Sequence, residues 1–256
     1  RGLGDVYKRQ IMASTLMIHT PGSHRVSLED LRALPEPVAI GARHRPVPHA
    51  EIVDALQAGI RERGISIART QLGVSQKGQR VFGTMDLRGR TNEQPDLGTT
   101  FGFRSSTNST LSIKGVAGAR VFVCDNLVLS GSEFVLQRKH TTYLNLAEVV
   151  SNGLNRFLAQ TETLGRGIDR LKDTPLSDGG AKQHVFDVFN VGAMPLHLFD
   201  DVARFYMRPK PDHLDCQPRS LWGLVNACTR AIQVLRPQAQ FNASLNVGRH
   251  FQLVTA

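Results

Sequence analysis

Apolar residues in the first half of the chain recur first at helical spacing and then at the alternating spacing of β-strands. Ile52, Leu56 and Ile60 lie four residues apart, which predicts an amphipathic helix over residues 51–64. From residue 65 apolar and polar residues alternate, which predicts a sheet. The predicted strands are a hairpin over 65–90 with its turn at 76–79, followed by strands over 99–105, 119–131 and 133–141.

The second strand of this hairpin divides its side chains between two faces. One face receives Val81, Gly83, Met85 and Leu87. The other face receives Arg80, Phe82, Thr84, Asp86 and Arg88. The run at 119–131 is apolar without alternation, which predicts a strand buried on both faces.

The second half of the chain has helical periodicity. A long helix is predicted over 145–173, and shorter helices over 181–192, 195–207 and 220–235, the last with Ser220 as its N-cap. The final segment, 236–254, is predicted to end in a return strand. Because strands precede helices, the predicted fold class is α+β, with an antiparallel sheet of about five strands and a helical C-terminal half packed on it.

The chain divides into three parts. Residues 1–10, RGLGDVYKRQ, resemble a translated sequencing adaptor and are expected to be an artefact, with the natural start at Met12, at Met17 or upstream. Residues 11–48 are rich in proline and are predicted to form an irregular leader. Residues 49–256 are predicted to form a single α+β domain.

Composition excludes several classes of protein. No apolar run reaches the roughly 20 residues that span a bilayer, and no segment resembles a signal peptide. The three cysteines have no paired spacing, which together with the lack of an export signal predicts a cytoplasmic location. No sequence motif for nucleotide hydrolysis, dinucleotide binding or metal binding is present, so we expect no cofactor, no metal and no membrane partner.

Positive charge is concentrated in two regions. The net charge is +9, and residues 41–90 alone hold nine Lys or Arg against four Asp or Glu. Residues 220–256 hold three Arg and no acidic residue. This distribution favours a polyanionic partner, most simply nucleic acid, although such a charge also suits anionic metabolites.

The hairpin is one candidate nucleic-acid surface. Its basic residues could form a stripe around Phe82, an arrangement typical of single-strand binding. The alternative is a solvated sheet face with Phe82 packed under a helix. The candidate residues are Arg69, Lys77, Arg80, Arg88 and Arg90.

A polar patch, SSTNST at 105–110, is the second candidate. Hydroxyl and amide groups are common phosphate ligands, and the flanking cations would complement them. The alternative is a polar turn between strands. The candidate residues here are Arg104, Asn108, Lys114 and Arg120. Cys124 could act as a nucleophile only beside a base such as His140, and burial in its apolar run is the simpler interpretation.

Two motifs carry a family resemblance. The segment from Arg120 to Asn126, with Cys124 inside it, and the later LWGLVNACT at 221–229 together resemble a phage/plasmid-like family catalogued as domain of unknown function 932. Relatives usually carry His and Asp in the polar patch, where this chain has Thr107 and Asn108. The resemblance implies a role in mobile-element or DNA metabolism and no established activity.

These observations lead to a ranked expectation. The first hypothesis is a non-catalytic nucleic-acid-binding protein acting in DNA replication, recombination or protection, with single-stranded DNA the favoured partner. The second is an enzyme that acts on a phosphorylated substrate at residues 104–120. The third is a structural or homo-oligomer-forming phage protein.

Overall fold

The structure is a computed structural model, and it describes residues 22–88, 97–121, 126–130, 134–209 and 219–253. Its seven strands form one antiparallel sheet in the order β1-β2-β3-β4-β5-β6, and β7 also pairs with β5. The strands are β1 (Ser23–Val26), β2 (Ser66–Ser75), β3 (Arg80–Arg88), β4 (Leu97–Ser106), β5 (Ile113–Val121), β6 (Asn126–Leu129) and β7 (Leu136–Arg138). The α+β fold class is confirmed.

Most helices follow the sheet in the chain. The α-helices are α1 (Leu28–Arg32), α2 (His49–Glu62), α3 (Leu146–Lys172), α4 (Asp178–Asn190), α5 (Phe199–Met207), α6 (Leu221–Ala231) and α7 (Pro237–His250). Short 3-10 helices lie at Leu196–Leu198 and Ile232–Val234. Ser220 caps α6 by accepting a hydrogen bond from the backbone N–H of Gly223, as predicted.

The sheet buries side chains on both faces. We call first face the side that carries Val81, Met85, Phe101 and Phe103, which pack against α2 and α3. We call second face the opposite side, where Phe82 and Val116 pack against Phe241 and Leu245 of α7. The alternation predicted for β3 is confirmed, and Phe82 lies under a helix, which favours the packed alternative over a stacking role.

Helix α3 joins the sheet to the helical half. Its 27 residues span about 40 Å at 1.5 Å per residue. Val150, Leu154 and Phe157 pack on the first face, whereas Leu164 and Ile168 belong to a separate core formed with α4, α5 and α6. One continuous helix therefore contributes to two hydrophobic cores.

Several predicted elements were wrong. The segment called an irregular leader contains β1 and α1, because residues 23–26 pair with β2 and Ser27 provides a capping box. The predicted strand at 119–131 is two antiparallel strands, β5 and β6, so the sheet has more strands than the five expected. The segment predicted to end in a return strand forms α7, with Pro237 in its first turn and Phe241, Leu245 and Gly248 buried, and residues 251–253 after it form a turn.

Candidate anion-binding site

Three cations are placed on the second face by the strand register. Arg104 lies directly opposite Lys114, and Arg80 lies beside it on β3, opposite Ser106. Side chains opposite one another on a sheet have Cβ atoms about 5 Å apart, and diagonal neighbours about 7–8 Å apart. We call Arg80, Arg104 and Lys114 the cation cluster.

Arg104 is the most buried member of the cluster. Its side chain is only 6% exposed, and its guanidinium carbon lies 4.7 Å from the ring centroid of Phe241. One terminal nitrogen donates a hydrogen bond of 3.4 Å to Oδ1 of Asn242, whereas the buried Nε has no hydrogen-bond partner. Burial, followed by the nearby charge of Arg80, lowers the pKa of Arg104 to about 10. The group stays charged at neutral pH, with one donor unsatisfied.

Lys114 lies against an aromatic ring at the edge of the same face. Its Nζ is 3.8 Å from the ring centroid of Phe134, which itself stacks on Phe241 with 6.4 Å between centroids and 7° between planes. Partial burial, and then the charges of Arg104 and Arg249, lowers the pKa of Lys114. The rings stabilise the two cations partly through cation–π contact.

Within the part of the chain that the structure describes, the cluster has no negative counterpart. Among the described residues, no carboxylate forms an ion pair with Arg80, Arg104 or Lys114. Like charges directly opposite on a sheet are destabilising, and a buried cation is rarely left without a paired anion. The site is therefore suited to an anion supplied from outside.

The polar patch forms a turn next to this cluster. Asn108 donates to Oε1 of Gln79 at 2.8 Å and accepts from the hydroxyl of Thr110 at 2.6 Å. Thr110 in turn accepts from Nε of Arg80 at 3.0 Å. Asn108 is thus held inside the turn, as the polar-turn alternative predicted, and Arg80 is held beside the site.

The remaining predicted residues do not join the cluster. Arg69 forms an ion pair of 2.8 Å with Asp86, and Arg88 lies about 26 Å from Arg80 along β3 at about 3.3 Å per residue. The continuous hairpin stripe is therefore not formed. Lys77 is exposed in the turn before β3. Arg90 lies outside the described residues. The backbone of Arg120 belongs to β5, but its side chain is not among those that the structure describes.

His140 is not a general base for the polar patch. The backbone N–H of Val47 donates to its Nδ1 at 3.0 Å, so Nε2 carries the proton and donates to Oγ of Ser105 at 2.7 Å. Both side chains are buried. Ser105 is therefore held by a donor and is not activated, and Cys124 lies outside the described residues.

The described residues contain no cluster of three or more His, Cys, Asp or Glu suited to a metal ion. Asp212, His213 and Asp215, whose side chains are of types that can bind zinc, lie outside the described residues.

Sequence reasoning missed the residues of α7 that complete the site. Phe241, Asn242 and Arg249 approach the cluster from a segment predicted to end in a strand. The spacing of Phe241, Leu245 and Gly248 after Pro237 is a helical signal that could have identified them. Phe134 had no signal of its own, because its contact with Lys114 depends on the tertiary fold.

Together these features define an α+β protein with a cation cluster on one sheet face. The sequence model of one family, described as "Domain of unknown function (DUF932)", matches residues 39–247. The chain belongs to this family, as its motifs indicated. No curated protein and no solved structure matches the chain. Over the described ranges, none of the helices has the length and apolarity that a bilayer crossing requires.

Proposed function

We propose that this protein binds nucleic acid through the cation cluster, without catalysing a reaction on it. The observation that carries the proposal is the charge of Arg80, Arg104 and Lys114, which the described residues leave without a carboxylate partner. Phosphate groups supply the missing negative charge, and arginine and lysine are their usual ligands.

The partial exposure of Arg80 and Lys114, on either side of the buried Arg104, favours a polymer over a small substrate. The cavities of 340, 540 and 470 Å³ in the described part of the chain have other linings and do not include Arg104 or Lys114. A nucleic-acid backbone contacts an open surface, whereas a small substrate is normally enclosed.

The competing proposal is an enzyme that acts on a phosphorylated substrate at residues 104–120. The buried Nε of Arg104 favours it, because a single oxyanion would satisfy that donor. His140 does not support a reaction as a base, since it is engaged with Ser105 and Val47.

The wider proposal follows the family resemblance. We infer a role in DNA replication, recombination or protection for a phage or plasmid, in the bacterial cytoplasm, with single-stranded DNA as the preferred partner. Self-association into homo-oligomers is part of the same proposal.

Fluorescence anisotropy with labelled single- and double-stranded DNA and RNA, each at two salt concentrations, tests this function. R80Q and K114Q should each weaken binding of every sequence about equally and lower the salt slope by about 0.7 on single strands or 0.9 on duplex. R104K keeps the charge but removes Nε, so it isolates the role of that donor.

The control is R166Q, which removes an exposed arginine of α3. It should leave both affinity and salt slope within about a factor of two of the parent. Equal slopes for R166Q and the R80Q/K114Q double variant would remove the cluster from the interface. Absence of binding to all four nucleic acids would refute the function itself.

A further inference from the structure

A second basic site lies where β7 forms an edge of the sheet. It is a cavity of about 340 Å³ between β7 and the start of α3. We call it the β7–α3 cleft, defined by Arg138, Lys139, Tyr143, Asn152 and Arg156.

The cleft carries excess positive charge. Arg138, Lys139 and Arg156 line it together with one acid, Glu148. In the described structure, the side chains of Lys139 and Arg156 form no ion pair or hydrogen bond, and neither does the carboxylate of Glu148. The two unpaired cations are free to hold an anionic group.

Tyr143 adds an aromatic surface to the cleft. Its side chain is 91% exposed, although tyrosine usually buries most of its ring. The exposure does not come from a frayed segment, because the chain around it is anchored. His140 is buried, and the N–H of Thr142 donates to the carbonyl of Arg43 at 3.3 Å. The ring is therefore held in the solvent at the mouth of the cleft.

An exposed ring beside unpaired cations matches the chemistry of a nucleotide. Base rings stack on aromatic side chains, and phosphates pair with lysine and arginine. The floor adds apolar area from Val135 and Val149, and Asn152 offers amide hydrogen-bonding groups at the wall.

We propose that the β7–α3 cleft binds a nucleotide unit, with its base stacked on Tyr143 and its phosphate held by Lys139 and Arg156. The unit can be a free nucleotide or one nucleotide of a single strand, and the polymer form rests on the proposed function. Lys114 lies opposite Gln137 on β7, one residue before Arg138, so the cation cluster and Arg138 lie on opposite sides of the same edge strand. In the polymer form, a single strand that binds both sites has to cross the edge of the sheet at β7.

The test uses two probes, a fluorescein-labelled oligothymidylate and free thymidine monophosphate. Y143A should weaken binding of the oligonucleotide about 5- to 100-fold, the range expected for one stacked base. Y143F retains the ring and should stay within about twofold of the parent. K139Q and R156Q should each lower the salt slope by about 0.7.

F186A is the matched control, because Phe186 is an exposed aromatic residue of α4, 58% accessible. It should not change binding of either probe. Parental affinity of Y143A for both probes would overturn the proposal, as would equal weakening by F186A.

The outcomes separate this site from the proposed function. Loss of oligonucleotide binding in R80Q/K114Q but not in Y143A overturns the cleft and keeps the cation cluster. Binding of thymidine monophosphate that depends on Tyr143, in a protein that binds no oligonucleotide, supports the cleft as a free-nucleotide site and refutes the proposed function. Weaker binding of both probes to Y143A supports the cleft as a site for a free nucleotide and for one nucleotide of a single strand.

Discussion

The two faces of the sheet come from the same strands but bury different chemistry. On the first face, Phe101 and Phe103 are buried against helices, and Phe101 meets Phe157 edge to face with 5.2 Å between ring centroids. On the second face, the neighbouring position on β4 is Arg104, opposite Lys114 on β5. Aromatic packing stabilises the first face, whereas the repulsion between two cations that lie opposite one another destabilises the second.

The contrast indicates which face is available for function. A protein selected only for stability would place an apolar pair at 104 and 114, since α7 already covers the neighbouring Phe82 and Val116. The cations on the second face are therefore the residues to which we assign the proposed ligand, and the packed first face stabilises the sheet that carries them.

The largest expected effect is a loss of stability in acid, caused by two buried histidines, His49 and His140, at the edge of the first face. Burial, opposed by hydrogen bonds to the carbonyls of Gly78 and Gln79, lowers the pKa of His49 from 6.5 to about 4. Burial, and then the charges of His44 and His49, lowers the pKa of His140 from 6.5 to about 4. As the pH falls from about 6.5 to 4, the unfolded chain binds these protons and the folded chain does not. The free energy of unfolding should therefore fall by up to about 1.4 kcal/mol per pH unit for each histidine.

Urea unfolding at pH 7, 6 and 5 measures this slope. H140Q should reduce the slope by about half, whatever its effect on stability at pH 7. H197Q removes an exposed histidine and should leave the slope unchanged. An H140Q slope equal to that of the parent would contradict the assignment.

The next effect compares two glycines that lie on opposite faces. A Cβ on Gly83 would lie 2.3 Å from Cζ of Phe103 on the first face, so G83A must displace a fully packed ring. A Cβ on Gly102 would lie 3.3 Å from Val116 and 3.4 Å from Leu129 on the second face, which needs only a small shift. G83A should cost about 1–3 kcal/mol, and G102A less than about 1 kcal/mol.

Thermal and urea unfolding of the two variants provide the measurement. The pair is matched, because both glycines lie inside central strands and both variants add one methyl group. Equal losses would mean that the second face is packed as tightly as the first, and would weaken the contrast between them.

The alternation of apolar and polar residues was sufficient to predict much of the first face. It predicted the two sides of β3, the turn at 76–79 and the long helix α3, because each depends on spacing within one segment. It did not separate β5 from β6, because a continuous apolar run carries no signal for the place where a buried strand ends.

The second face was predicted less well for a related reason. Arg80, Arg104 and Lys114 were all recognised as candidates, but only strand register shows that they form one cluster and that Arg69 and Arg88 do not. The β7–α3 cleft was missed altogether. Tyr143 has no aromatic neighbour in the sequence around it and follows a short edge strand, so its local sequence pattern does not distinguish it from a buried tyrosine.

The smallest effect separates binding from stability at one residue of the second face. K114M keeps an unbranched side chain only one atom shorter, which can still contact the ring of Phe134, while it removes the charge opposite Arg104. Relief of that repulsion should raise the free energy of unfolding by up to about 1 kcal/mol. The same change should weaken oligonucleotide binding about tenfold, because one phosphate contact is lost. K182M, on the exposed surface of α4, should change neither quantity. Opposite signs for stability and binding identify Lys114 as a residue kept for its ligand, whereas a loss of both would show that its charge supports the fold.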